Sequence, residues 1–304
     1  MRFAISIPQY AHDSDFDDEA FRAHLSRVED LGLFESAWVQ EQVIGAAGLL
    51  APLQTLAYAA ACTEEVRFGC AVFILPLHNP LHLAKAISSL DCLSHGRVEV
   101  GVATGGRARP FEAFGVDPDR PVARFNEALA LMKACWTESE INFDGEWWKL
   151  QGATMEPKPV QKPYPPVWFG GSAPAGMRRA VRHGDGFMGA GSQTPAQFAE
   201  QVNVVREELS AQGRNPDSFR IGKRVYVHVD DDAARGRRRL EDALTSHYGR
   251  GGWSEHIFAG PAEECAAGIR AVSDAGAELV LLNPMADDAE QLERLAAEVI
   301  PALS

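Results

Sequence analysis

The chain has 304 residues, 46% hydrophobic and 23% charged, the balance of a packed globular protein and not of a disordered, collagen-like or coiled-coil chain. With 29 Lys and Arg against 42 Asp and Glu, its formal net charge of -13 repels nucleic-acid phosphates and anionic membrane surfaces, so neither is an expected partner.

In chain order, the first apolar run covers residues 3–8 and is followed at once by Asp13, Asp15, Asp17, Asp18 and Glu19. It reads as a strand, since a signal peptide would carry a longer apolar region and a small-residue cleavage site. Seven further strands are predicted at 36–40, 66–75, 98–103, 166–170, 186–190, 221–229 and 278–283. Between them the period turns helical, as in Phe21, Leu25, Val28 and Leu31, in Phe125, Leu129, Met132 and Trp136, in Phe198, Val202, Val205 and Leu209, and in Leu292, Leu295 and Val299. Eight such β–α pairs with no change of pattern predict a parallel sheet closed as a (β/α)8 TIM barrel, one domain over 1–304.

Two segments exceed the bare repeat, about 138–165 and about 230–256, and read as insertions. In the first, Asp144-Gly145 between apolar runs predicts a two-residue hairpin turn, and Pro157, Pro159, Pro163, Pro165 and Pro166 predict an extended connector. The second, with Asp230, Asp231 and Asp232 ahead of Arg237, Arg238 and Arg239, reads as a solvated helix with an acidic start. Five cysteines in no C-x-x-C or zinc-finger spacing read as buried thiols of a reducing compartment. No apolar run reaches the ~18 residues that cross a bilayer, so a soluble cytoplasmic protein is expected.

In such barrels the chemistry lies just after each strand. Those positions hold Gln9 and Tyr10; Gln40, Glu41 and Gln42; His78 and Asn79; Thr104, Gly105 and Gly106; Gly170, Gly171 and Ser172; and Asn283. Gly170-Gly171-Ser172 precedes a helix opening near Pro174, which makes it either a phosphate cradle at a helix N-terminus or a plain tight turn. Thr104-Gly105-Gly106 lets a planar ligand approach the backbone, or simply turns; it lacks the G-x-G-x-x-G order of a dinucleotide site. Glu41 is a rim carboxylate or a helix-capping one, and His78 a rim ligand or part of a proline-delimited turn. Lys223 is read as a lumen-facing donor to an anion, with a buried ion pair as the alternative. The histidines other than His78 make no H-x-x-x-H or H-E-x-x-H pair among themselves, so no metal site is expected.

Taken together, Trp38-Val39-Gln40-Glu41, Asn79 to Lys85, Leu90 to Val98, Phe111 to Val116, Arg124 to Leu129, Cys135 to Glu138, Pro157 to Gln161, Pro165 to Gly171 and Gly184 to Phe187 resemble the bacterial luciferase-like superfamily. That superfamily includes FMN-dependent two-component monooxygenases and enzymes of the deazaflavin coenzyme F420. The resemblance implies a flavin ring over Ala71-Val72, where the family often has a non-prolyl cis peptide or bulge, with Thr104 and Gly105 along the ring. It implies a phosphate at Gly170, Gly171 and Ser172, catalytic roles for Glu41 and Gln42, and substrate contacts from Gln9, His78 and Lys223.

This chain departs from the family where many members carry Glu-His after the second strand and it carries Glu41-Gln42. An amide can hydrogen-bond a peroxide, a carbonyl or a flavin edge but cannot exchange protons near neutral pH. Two arginines of many FMN-using members are here Thr104 and Val122, while the stretch from Phe111 to Leu129 looks more like the FMN branch. The resemblance therefore implies a monooxygenase using reduced FMN on a small organic substrate, supplied by a separate flavin reductase as transient partner. The alternatives are F420-dependent hydride transfer and a degenerate barrel that binds flavin without turnover; a homodimer is left open.

Overall fold

The computed structural model describes residues 1–10, 16–45, 47–106 and 110–303, so Asp13 and Asp15 of the acidic run lie outside the described residues. Eight parallel strands form a closed ring in the order β1 (Arg2–Ser6), β2 (Phe34–Val39), β3 (Arg67–Ile74), β4 (Val98–Ala103), β7 (Val167–Gly170), β8 (Gly186–Gly189), β9 (Arg220–Val229) and β11 (Leu279–Asn283), which pairs back onto β1. All eight predicted strands are in this ring. The fold is a (β/α)8 barrel.

Helices α1 (Asp18–Leu31), α2 (Pro52–Ala61), α3 (Pro80–Leu93), α4 (Pro121–Thr137), α5 (Pro174–His183), α6 (Pro195–Ala211), α8 (Ala262–Asp274) and α9 (Asp288–Arg294) surround it. Local chemistry sets their ends: the Asp17 carboxylate accepts from the Ala20 amide and Gly32 closes α1 at φ 60°, while Thr194 and Gln197 form a capping box on α6.

Strand alternation sorts the side chains into two cores. On β9, Ile221, Val225 and Val227 pack outward among the helices. Inward-facing Ala4, Trp38, Trp168, Met188, Leu279 and Leu281 fill the lumen, which is therefore a packed core below its mouth. At the amino ends Arg67 pairs with Glu99 at 2.6 Å and Arg220 with Glu35 at 3.0 Å. Beside them the buried Arg97 donates to the carbonyls of Ala60, Thr63, Val66 and Ser94 and to the Thr63 hydroxyl, tying α2, β3 and the end of α3 together.

Three expectations need correction. The hairpin of β5 (Ile141–Asp144) and β6 (Lys149–Ala153) turns over four residues, not two, because the Glu127 carboxylate of α4 captures the amides of Glu146, Trp147 and Trp148. In the connector after it, the Glu156–Pro157 and Lys162–Pro163 bonds are cis. The second insertion is more than a solvated helix: α7 (Ala233–Tyr248) buries Leu240, Leu244 and His247, and β10 (Ile257–Gly260) pairs with the upper half of β9. Asp230 is buried against Arg235 at 2.6 Å, the other aspartates and arginines of the insertion face solvent, and its apolar positions cover the mouth of the barrel beside Tyr226 and Trp253. The cysteines are all free, but Cys62 and Cys92 are half-buried instead of buried. No helix of the described residues is long and apolar enough to cross a membrane.

Candidate functional site

The carboxyl ends of the ring strands make a mouth with two unlike walls. On the first, the pairing of β3 with β4 slips between Cys70 and Phe73, and the Ala71–Val72 peptide is cis. Val72 leans across the neighbouring strands: a Cβ on Gly101 would stand 3.1 Å from its Cγ1, and one on Gly170 3.0 Å. Gly101 has a second constraint, since its Cβ would lie 2.1 Å from the Cys70 carbonyl oxygen. Thr104 and Gly105, the latter at φ +77°, continue β4 beyond this point.

At the end of β7, Gly171 adopts φ +145°, which a side chain rarely tolerates, and nothing lies within 4 Å of where its Cβ would be. Ser172 is exposed and α5 begins at Pro174, with Ala173 as a cap that offers no side-chain acceptor. The first turn of α5 contains no acidic residue. Pro174 has no N–H and the Gly176 and Met177 amides bond the Ala173 carbonyl, so the amides of Ser172, Ala173 and Ala175 are the ones left to face the mouth, at the positive end of the helix dipole.

Between β2 and β3 the structure brings together Glu41 and His78. Glu41 is 9% exposed; Oε2 accepts from the Ile74 amide at 2.7 Å and Oε1 meets His78 Nε2 at 2.8 Å. His78 stands edge-on to Phe73, a residue of the outer core, so the pair sits on the outer flank of β3 and anchors the strand end that carries Ala71 and Val72. Gln42 folds back against Gly45, and its buried Oε1 finds no partner among the described residues. Gln9 is occupied by backbone: Nε2 donates to the Gln40 and Leu50 carbonyls and Oε1 accepts the Gln40 amide. Its amide fixes the loops after β1 and β2 and leaves no group aimed at a substrate.

Lys223 lies elsewhere than expected. It is 1% exposed and points outward, Nζ donating to the Ala190 carbonyl and standing 5.8 Å from the Phe198 ring of α6. The phase of β9 is the reason: with Ile221 and Val225 outward, residue 223 follows them. Burial, with a smaller contribution from the neighbouring Arg224, pulls its pKa down to about 7.

Inward on β9, and missed in the sequence, is Arg224. Its guanidinium donates to Gln40 Oε1 at 2.8 Å, Tyr226 Oη at 3.0 Å and Tyr248 Oη at 3.2 Å. Burial works against its charge, but the surrounding tyrosines more than offset this and hold its pKa above the ordinary arginine value. Alongside, Tyr10 Oη meets His247 Nδ1 at 2.8 Å, and burial followed by Arg224 lowers that imidazole to about 4. Asn283, at the inward end of β11, is 2% exposed and its Nδ2 has no partner among the described residues. No group of three His, Cys, Asp or Glu side chains among the described residues can hold a metal.

The sequence pattern of the family described as luciferase-like monooxygenase matches residues 1–258. The chain belongs to that family. Its members are oxidoreductases and monooxygenases, and the relatives of this chain name two cofactors. An F420-dependent glucose-6-phosphate dehydrogenase of Kineococcus radiotolerans is 28% identical over 314 residues, covering 91% of this chain and 90% of the relative. An FMNH(2)-dependent dimethylsulfone monooxygenase of Pseudomonas putida is 27% identical over 187 residues, covering 60% of this chain and 50% of the relative. The monooxygenase RslO1 from Streptomyces bottropensis superposes with a TM-score of 0.85 over 100% of both chains at 22% identity, a likeness in fold. The matches span 63% and 53% of the length of the first two curated relatives.

Proposed function

We propose that this protein is a flavin-dependent oxidoreductase, a two-component monooxygenase that takes up reduced FMN and acts on a small organic substrate in the barrel mouth. The observation that carries the proposal is the glycine-lined first wall: Val72 over Gly101 and Gly170, then the open Gly171 leading into the uncapped start of α5. Glycine at 101 and 170 lets Val72 lie close against the neighbouring strands, which keeps the wall low enough for a tricyclic ring, and a phosphate needs unspent amides near a helix N-terminus. The chain offers both side by side. Two unpartnered polar atoms fit the same purpose, since the Gln42 acceptor and the Asn283 donor suit a ring edge that alternates carbonyls and N–H groups.

In this reading the amides around Gly171, Ser172 and Ala173 hold the phosphate, and Ala71, Val72, Thr104 and Gly105 support the ring. When bound, the reduced flavin supplies the two electrons for oxygen insertion or hydride transfer. Glu41 is a positioning residue, fixing the end of β3 through the Ile74 amide and His78. The packed layer of Trp38, Trp168 and Met188 closes the lumen from below, so water reaches the mouth from one side only. The ring joins β1 to β11, which supports one domain over 1–304. Reduced FMN would come from a separate reductase as a transient partner.

A second reading, hydride transfer with coenzyme F420, is supported by the 28%-identical dehydrogenase relative that covers 91% of the chain. Anaerobic titration with reduced FMN and with reduced F420, read by the fluorescence of Trp38 and Trp168, tests both. Tighter saturable binding of reduced FMN supports the first reading, tighter binding of F420 the second, and no binding of either contradicts both.

A further inference from the structure

We propose that the second wall of the mouth binds an oxyanion of the substrate, a carboxylate on a flat organic acid, through the Arg224 guanidinium. The inference rests on the proposed function for the first wall, and it names the class of molecule that site works on.

The arginines at the amino ends of the barrel are paired or saturated, and the half-buried Arg124 and Arg179 belong to α4 and α5 and lie over the Trp148 and Phe125 rings. Arg67 and Arg220 meet Glu99 and Glu35 at 2.6 and 3.0 Å, and Arg97 fills its donors with five oxygen acceptors in a purely structural corner. Arg224 has three acceptors, all neutral, no hydrogen bond from Nε, and no Asp or Glu oxygen within 4.0 Å among the described residues. A guanidinium held inside a barrel without a counter-charge is costly, and its three hydrogen bonds to neutral oxygens leave its charge uncompensated. It is half-buried, on the inward face of β9, so what exposure it has is toward the mouth.

Its place is as informative as its charge. In the ring β9 stands four strands from β3 in either direction, so Arg224 faces the Ala71–Val72 wall across the lumen. A molecule held between them would contact the ring on one side and the guanidinium on the other. Beside Arg224 the rings of Tyr226, Tyr248 and Trp253 meet at 4.9 to 6.3 Å, Tyr226 and Trp253 buried and Tyr248 half-buried, a packed aromatic backing that fixes the guanidinium, and the Tyr226 and Tyr248 hydroxyls, 2.6 Å apart, can turn a proton to the same anion. Arginine with flanking hydroxyls matches the two oxygens of a carboxylate better than a single carbonyl.

The test uses benzoate as anionic probe and benzamide as its neutral counterpart, titrated by calorimetry into the wild-type protein, Arg224→Lys and Arg224→Gln, with reduced FMN titrated separately into each. Expected are saturable benzoate binding, at least tenfold weaker binding of benzamide, at least a tenfold loss of benzoate affinity in Arg224→Gln with partial recovery in Arg224→Lys, and reduced-FMN affinity within about threefold throughout. Absent benzoate binding, equal affinity for benzamide, or unchanged benzoate affinity in Arg224→Gln overturns the proposal, as does an equal loss of reduced FMN, which would assign the guanidinium to the cofactor. Should Arg224→Gln fail to fold, the benzamide comparison and Arg224→Lys still decide. Arg224-dependent benzoate binding by a protein that takes up neither reduced FMN nor F420 would sink the proposed function and leave the anion site standing.

Discussion

Glu41 and His78 stand 37 residues apart in the chain and meet at 2.8 Å, with the second Glu41 oxygen on the Ile74 amide. One carboxylate thereby ties the loop after β2 to the end of β3. Removing it leaves a buried amide without an acceptor, so Glu41→Ala should cost about 1–3 kcal/mol and Glu41→Gln less, since one oxygen can still accept. Urea unfolding midpoints measure this; an Ala variant as stable as wild type would contradict the anchoring role.

Arg97 makes a comparable prediction at the opposite end of the barrel. Its five hydrogen bonds satisfy four carbonyls that water cannot reach easily. Arg97→Met keeps the stem and removes the donors, and should destabilise by at least about 3 kcal/mol. Cofactor affinity in the folded fraction should not change, because the residue lies far from the mouth.

The eight ring strands were legible because strands buried on both faces read as apolar runs with little polar interruption. The start of α5 was legible too, because Gly170-Gly171 before Pro174 is a local pattern that needs no tertiary information. What failed were features decided by distant partners. Asp144-Gly145 has the sequence of a two-residue turn, yet Glu127 from α4 pulls three amides into a wider one. β10 is four residues of an otherwise polar insertion, and only its pairing with β9 makes it a strand.

Phase along β9 separates Lys223, which faces the helices, from Arg224, which faces the lumen. Ile221, Val225 and Val227 mark one face of β9 and Gly222, Arg224 and Tyr226 the other, a period of two visible in the sequence itself. Which face was the lumen could have been inferred from Gly222, where Trp168 and Met188 need room.

Stability should depend on pH through buried imidazoles. Burial lowers His24 and His247 from 6.5 to about 4, and His183 and His228 move in the same direction. Unfolded imidazoles take up protons as pH falls through about 6.5. Between 6.5 and 4 the unfolded chain therefore binds more protons, and stability present at neutral pH declines as the pH falls across that window. The slope of unfolding free energy against pH should correspond to about two protons or more, and His24→Leu should remove about one. A flat profile from pH 7 to pH 5 would contradict the assignment.

The central claim is that amides at the start of α5 grip a phosphorylated tail, and comparing FMN with riboflavin isolates that phosphate. Two or three charge-assisted hydrogen bonds predict that reduced FMN binds about a hundredfold more tightly than reduced riboflavin. Ser172→Asp, which places a carboxylate where the helix dipole welcomes it, should leave thermal stability unchanged or slightly higher and yet abolish the preference. Equal affinity for the two flavins in the wild-type protein would contradict the account.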